Sequence, residues 1–260
     1  MRFGCCSKLE RLEATREAGF DYAEMQVGVL EPEAAESKFA ETRRRIADVG
    51  LPVEAFNVFI SPTLPVVGER IDRQRLDAYL DTALARMQEV GASIVVFGSG
   101  GARSTPRGFD RRQAMDQIAD FLHTVAEKLD RTELTLAIEP LYKIASDNIN
   151  TVEDALKMAR RVDHPRIKVL ADMFHMAYED DKPENLFEAR ADLRHVHVPV
   201  PQLDGMSPRL WDELYVEFLG ALRSAGYDAR ISIEDNGGRF QDFQTEARQA
   251  LEYLKDSWAE

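Results

Sequence analysis

Cysteine is almost absent from this chain: Cys5 and Cys6 are the only two in 260 residues. Adjacent cysteines are poor candidates for a structural bridge, so a disulfide framework is excluded and a reducing, cytoplasmic setting is expected. Their expected role is small apolar packing on a first strand. Long apolar runs are missing too. No stretch approaches the roughly 18 apolar residues of a membrane span, and Met1-Arg2-Phe3 leads into a strand-like run rather than a signal peptide. Positive charge is in deficit, with a formal net charge of −13, which argues against a general affinity for nucleic-acid phosphates. Basic runs such as Arg43-Arg44-Arg45 sit beside Glu41 and read as solvated helix faces. No linker rich in Pro, Gly or Ser divides the sequence. Residues 1–260 are therefore read as one domain, a size routine for barrels of about 250 residues.

What is present is a repeated phrase: an amphipathic helix, a glycine, then a short apolar run. It recurs as ATREAGFDYAEM, RRRIADVGLPVEAF, RMQEVGASIVVF and ALRSAGYDARISI. Gly19, Gly50, Gly91 and Gly226 fall where a helix needs a left-handed residue to turn the chain. Beyond them the pattern becomes near-continuously apolar, as buried parallel strands require. Eight strands are predicted: Arg2–Cys6, Tyr22–Gln26, Val53–Phe59, Ser93–Gly98, Thr135–Glu139, Lys168–Asp172, Arg194–Val198 and Arg230–Glu234. Helices fill most intervals, one starting at a capping-box variant of Thr151 with Asp154 and a short one near Pro183–Arg190. Eight alternating units argue for a closed (β/α)8 TIM barrel. An open doubly wound sheet usually has fewer strands and a phosphate-binding fingerprint after the first, which is missing here.

Barrel active sites form at the C-terminal strand ends. Glu139, Asp172, His197 and Glu234 each lie at the C-terminal end of one of four consecutive predicted strands. Three carboxylates and an imidazole make a mostly oxygen-donor set for a hard or borderline divalent ion. Such a set suits carbonyl and enediolate chemistry.

The other candidates carry plainer readings. His195, two residues before His197, points into the barrel as a hydrogen-bonded neighbour of the site rather than a ligand. His123 reads as structural, and His164 lies at the opposite, stability face. Glu24 and Glu54 are read either as substrate contacts or as buried partners of a barrel arginine. Gly98–Arg103 forms a glycine-rich turn open to two readings, a ligand-approaching backbone or a tight turn. Phe59, Tyr142 and Trp211 are candidates for an apolar wall against a sugar face.

The segments VVFGSGGAR (95–103), AIEPL (137–141), NINTVEDAL (148–156), VLADMFHM (169–176), HVHV (195–198) and GYDARISIE (226–234) resemble the sugar phosphate isomerase/epimerase family. That family has a xylose isomerase-like barrel and includes ketose 3-epimerases. The resemblance implies that Glu139, Asp172, His197 and Glu234 bind one divalent cation, typically Mn2+, Co2+ or Mg2+. It implies further that Glu139 and Glu234 double as acid/base groups on opposite sides of a keto sugar, and that His175 contacts substrate. It also allows a homo-dimer or tetramer. Two departures stand out. Ketose 3-epimerases commonly read Glu-Pro-Leu-Asn-Arg-x-Glu, whereas this chain ends that segment at Ala145. Leu203 stands where an arginine is expected six residues after His197, with Arg209 as a substitute on the same loop.

The expected chemistry is removal of a proton α to a carbonyl by one glutamate and its return by the other. Isomerisation and epimerisation both follow from it. Loss of a β-substituent would instead make a dehydratase or lyase acting on a keto sugar, keto-inositol or ketoglycoside. A non-catalytic sugar-binding or partner subunit is the reading from another class. The endonuclease IV type of DNA-repair enzyme is rejected, because it needs a histidine-rich zinc cluster and this acidic chain has five histidines.

Overall fold

The computed structural model of the chain describes residues 1–200, 208–235, 240 and 242–259, with the side chains of 208–211 left aside. Eight strands close into one parallel barrel in sequence order: β1 (Arg2–Cys6), β2 (Tyr22–Gln26), β3 (Val53–Asn57), β4 (Ile94–Phe97), β5 (Thr135–Ile138), β6 (Ile167–Asp172), β7 (Leu193–Pro199) and β8 (Arg230–Glu234). The helices around it are α1 (Leu12–Ala18), α2 (Glu36–Val49), α3 (Arg73–Glu89), α4 (Gly100–Arg103), α5 (Arg111–Leu129), α6 (Val152–Val162), α7 (Met173–Tyr178), α8 (Glu184–Ala189), α9 (Pro208–Ser224) and α10 (Phe243–Ala259).

Local chemistry sets these boundaries. Helix α6 starts at a full capping box, the Thr151 hydroxyl accepting from the Asp154 amide while Asp154 accepts from the Thr151 amide. The expected C-terminal glycines lie in the left-handed region, Gly19 at φ 97° and Gly50 at φ 74°. Three strands stop earlier than predicted, β5 by one residue at Ile138. β3 ends at Asn57 rather than Phe59 because Val58 turns to φ 48°, and β4 ends at Phe97, with Ser99 at φ 43°. A left-handed residue cannot continue a parallel ladder.

The barrel interior is filled in layers. Tyr22, Ala55, Ile94, Val96, Ala137 and Leu170 form a buried apolar plug. Gly4 makes room for it, since a Cβ there would overlap the Tyr22 ring. Strand side chains alternate, so the residues two positions further along face the same interior, one layer higher. Those residues include Glu24 above Tyr22, Glu139 above Ala137 and Asp172 above Leu170.

Two register shifts decide which side chains reach that layer. Val169 pairs with Leu193, but Leu170 pairs with His195, so one extra residue is accommodated in β7. The shift sets His197 opposite Asp172. Without it Val196 would stand there and the imidazole would face the helices. Between β2 and β3 a shift likewise sets Glu24 opposite Ala55 rather than Glu54. Glu54 is instead held by Arg2 and by Arg230, whose Nε donates at 2.6 Å, which is the arginine-partner reading.

Candidate active site

At the C-terminal mouth of the barrel Glu139, Asp172, His197 and Glu234 converge. One potential ligand atom from each lies within 4.8 Å of every other. His197 Nδ1 stands 3.1 Å from Glu139 Oε1 and 3.7 Å from both Asp172 Oδ2 and Glu234 Oε2. Asp172, His197 and Glu139 are buried, and Glu234 is partly open to the mouth. Three carboxylates this close repel one another. Burial, reinforced by Glu139, Asp172 and Glu24, pushes the Glu234 carboxyl well above the usual range, and His197 only partly offsets this. Burial opposes charge on His197 as well, but Glu24, Asp172 and Glu139 outweigh it and hold the imidazole well above its ordinary value. Burial likewise opposes charge on Asp172, yet His175 and His197 hold it below its ordinary value. Such a cluster, which keeps protons to relieve its own repulsion, fits a divalent cation in donor type and in charge.

Beneath the cluster lies a residue whose role the sequence does not disclose. Glu24 contacts neither substrate space alone nor an arginine. Its Oε1 accepts from His197 Nε2 at 2.9 Å and its Oε2 from His195 Nε2 at 2.7 Å. Burial disfavours its charge, but the two imidazoles hold its carboxyl well below the usual range. The bond to Nε2 fixes the His197 ring so that Nδ1 faces the carboxylates, the carboxylate–histidine arrangement that orients metal ligands. His195 is thus the expected hydrogen-bonded neighbour. Ser232 bridges at 3.4 Å from His195 to Tyr22, whose hydroxyl lies 2.9 Å away. The sequence signal for Glu24 was its position two residues beyond Tyr22 on the strand beside β1, but its partners lie more than 170 residues away.

Gly98 and Arg103 support Glu139. A Cβ on Gly98 would overlap Glu139 Oε2, so the carboxylate occupies space that only glycine leaves. Arg103 is fully buried and donates to the carbonyls of Phe97 (3.0 Å) and Glu139 (2.8 Å), tying the ends of β4 and β5 together. Burial draws its guanidinium down to about 10, still cationic at neutral pH. The glycine-rich segment forms a tight turn leading into α4, and its Ser99, Gly100 and Gly101 also line the cavity that holds Glu139, so both readings stand.

His175 lies on α7, its amide donating to Asp172 Oδ1 at 2.9 Å, and its ring stacks on Tyr142 with centroids 5.2 Å apart. Tyr142, His175, Glu139 and Glu234 share one cavity of about 430 Å3. A second cavity, of about 360 Å3, reaches Glu234 from the side of β1 to β3. Phe59 is not in the apolar wall: it is buried under the loop against Phe121. Arg209, Trp211 and Leu203 lie outside the described side chains. His123 is exposed on α5, outside the cavities at the mouth, and His164 bonds Asp130 away from the mouth. Cys5 packs in the core as expected, whereas Cys6 lines the second cavity and accepts from Asn57 Nδ2 at 3.4 Å.

The family description "Xylose isomerase-like TIM barrel" matches residues 12–257. The chain belongs to this family. A 3-dehydro-D-guloside 4-epimerase of Escherichia coli (strain K12) is 28% identical over 201 residues, 73% of each chain. A 3-dehydroshikimate dehydratase of Pseudomonas putida is 24% identical over 240 residues, 86% of this chain but 35% of the dehydratase. Among solved structures, a D-psicose 3-epimerase with D-tagatose from Clostridium cellulolyticum H10 superposes with a TM-score of 0.82 at 18% identity, covering 99% of both chains. That likeness establishes the shared fold. Among the described residues, no helix is long and apolar enough to cross a membrane.

Proposed function

We propose that this chain is a divalent-metal-dependent isomerase or epimerase acting on a keto sugar or related α-hydroxy ketone. The observation that carries the reading is the convergence of Glu139, Asp172, His197 and Glu234 donor atoms, with His197 oriented by Glu24. These four residues would hold one Mn2+, Co2+ or Mg2+ ion. A cation there supplies Lewis-acid polarisation of the substrate carbonyl and stabilises the enediolate.

The chain supplies the rest. Glu139 and Glu234 come from β5 and β8, so they approach a substrate lying across the mouth from different sides of the barrel. One removes the α-proton and the other delivers a proton to the opposite face, action that typically contributes about 10²–10⁴-fold. His175 and Tyr142 wall the substrate space beside Glu139 and orient the sugar. Cys5 and Cys6 are free thiols, in keeping with a cytoplasmic enzyme.

A dehydratase or lyase is the second reading, favoured by the dehydratase relative and by Ala145, which lines the cavity without a carboxylate. It shares the first proton abstraction and differs in what leaves next. The test is Mn2+-loaded protein in deuterium oxide with D-psicose, L-ribulose, methyl 3-keto-β-D-glucopyranoside and 3-dehydroshikimate, followed by proton NMR. Metal-dependent deuterium uptake at an α-carbon, abolished in Glu139→Gln, supports the proposal. Release of water or alcohol with that uptake selects the lyase. No exchange from any of them by metal-loaded protein contradicts both and leaves the sugar-binding subunit.

A further inference from the structure

The ring of His197 has two nitrogens, and each faces groups that bind metals. Nδ1 faces Glu139, Asp172 and Glu234, while Nε2 faces Glu24. Beside Glu24 stands Cys6, its register partner across β1 and β2. One donor atom each from Cys6, Glu24 and His197 lies within 4.8 Å of every other.

These three differ in chemistry from the four residues of the mouth. A sulfur, an oxygen and a nitrogen make a zinc-type set, three protein donors with a fourth position left for water. A thiolate selects soft ions and has little preference for Mn2+ or Mg2+. The donors are also held in place. Glu24 and His197 are fully buried, and the second oxygen of Glu24 accepts from His195 Nε2 at 2.7 Å. Asn57 Nδ2 donates to Cys6 Sγ at 3.4 Å, a bond that would steady the sulfur as a ligand. Burial and the Glu24 charge push the Cys6 thiol up, which suits it poorly to nucleophilic work. A coordinated ion displaces that proton outright.

Cys6, Glu24 and Asn57 all line the second cavity, which gives an ion a path from the mouth. The cavity also holds an unmet need. Asn57 is 6% exposed, yet its Oδ1 has no hydrogen-bond partner among the described residues. Buried polar atoms are rarely left so. A water on the fourth position of an ion beside Cys6 would be a donor for it.

We propose that Cys6, Glu24 and His197 Nε2 form a second site, for a thiophilic divalent ion of the zinc group, and that this ion antagonises the cation of the mouth. The site itself is independent of the preceding functional reading; the antagonism rests on it. A neutral imidazole has one lone pair. With a cation on Nδ1, the ring carries its proton on Nε2 and donates it to Glu24. With an ion on Nε2, the proton sits on Nδ1 and bars the mouth cation. A zinc-group ion would thus switch the mouth site off.

The test uses Cd2+, whose thiolate complexes absorb in the ultraviolet, titrated into the metal-free chain. Asp172→Ala removes a ligand of the mouth site and keeps the three residues of the second. In that variant the charge-transfer band is expected to saturate at about one Cd2+ per chain. It should persist when Cys5→Ser is added and vanish when Cys6→Ser is added. In the wild-type protein, saturating Mn2+ is expected to raise the Cd2+ midpoint at least about tenfold, a typical coupling between linked sites. In Asp172→Ala, Mn2+ should leave the midpoint unmoved. No band in either wild-type or Asp172→Ala protein, or a band that survives Cys6→Ser, would overturn the site. A midpoint indifferent to Mn2+, in wild-type protein that calorimetry shows to bind Mn2+, would overturn the antagonism. A band in wild-type protein that binds no Mn2+ leaves the thiolate site standing and removes the mouth cation, and the antagonism with it.

Discussion

Glu24 shows how a single side chain prepares four others. By accepting from His197 Nε2 it aims Nδ1 at Glu139, Asp172 and Glu234, and by accepting from His195 it is itself fixed. Glu24→Gln is expected to weaken Mn2+ binding by about 10–100-fold without removing a ligand, as changes behind a metal-binding histidine commonly do. Titration calorimetry of the metal alone checks this, and an unchanged affinity contradicts the orienting role. The protonation of the cluster gives a second test. Both Glu234 and His197 hold protons more tightly than their free counterparts, the former through burial, the latter through its carboxylate neighbours. A ligand must shed its proton to coordinate. Raised affinity for protons therefore means that metal binding near neutral pH releases protons, and that metal affinity rises with pH. Calorimetry in buffers of different ionisation enthalpy should find between about one and two protons released per ion. Zero release would show that the cluster is already fully ionised.

At the scale of elements, strand ends carry the site and their exact register decides it. The eight strands were legible because helix, glycine and apolar run repeat, and the four converging residues were legible because each closes such a run. The bulge in β7 that turns His197 inward was not, since a one-residue shift leaves no mark on apolar periodicity. Nor was the early end of β3, because Val58 is a strand-former by propensity and left-handed only in its tertiary setting. The partners of Glu24 escaped for a similar reason: long-range pairing across a barrel is a property of the closed sheet. Gly98 makes the point testable. Gly98→Ala would force Glu139 Oε2 aside, so metal affinity and deuterium exchange should both fall at least about tenfold while the circular dichroism stays that of the barrel. Wild-type exchange in this variant would mean that the Glu139 carboxylate is not held where it is needed. Arg103→Met acts on the same pair of strands differently. It leaves the buried carbonyls of Phe97 and Glu139 without their donors and should lower unfolding free energy by about 2–4 kcal/mol in urea titration.

For the molecule as a whole, the apolar plug in the lower barrel and the charged layer above it have opposite effects. The plug of Tyr22, Ile94, Val96 and Leu170 holds the barrel closed, while the crowded carboxylates work against folding, a cost that the proposed cation would relieve. Ligand binding to the native state stabilises it by about 2.7 kcal/mol at a hundred times the dissociation constant. For a chain of this length, that is a rise in melting temperature of roughly 5–10 °C. The most direct measurement is the metal content of the wild-type protein and of Asp172→Ala, each purified without added metal, then dialysed against Mn2+, with melting temperatures read on the same samples. The account predicts about one ion per wild-type chain with the corresponding rise in melting temperature, and neither in the variant. No tightly held ion in the wild-type protein, after exposure to Mn2+, Co2+ or Mg2+, would contradict it.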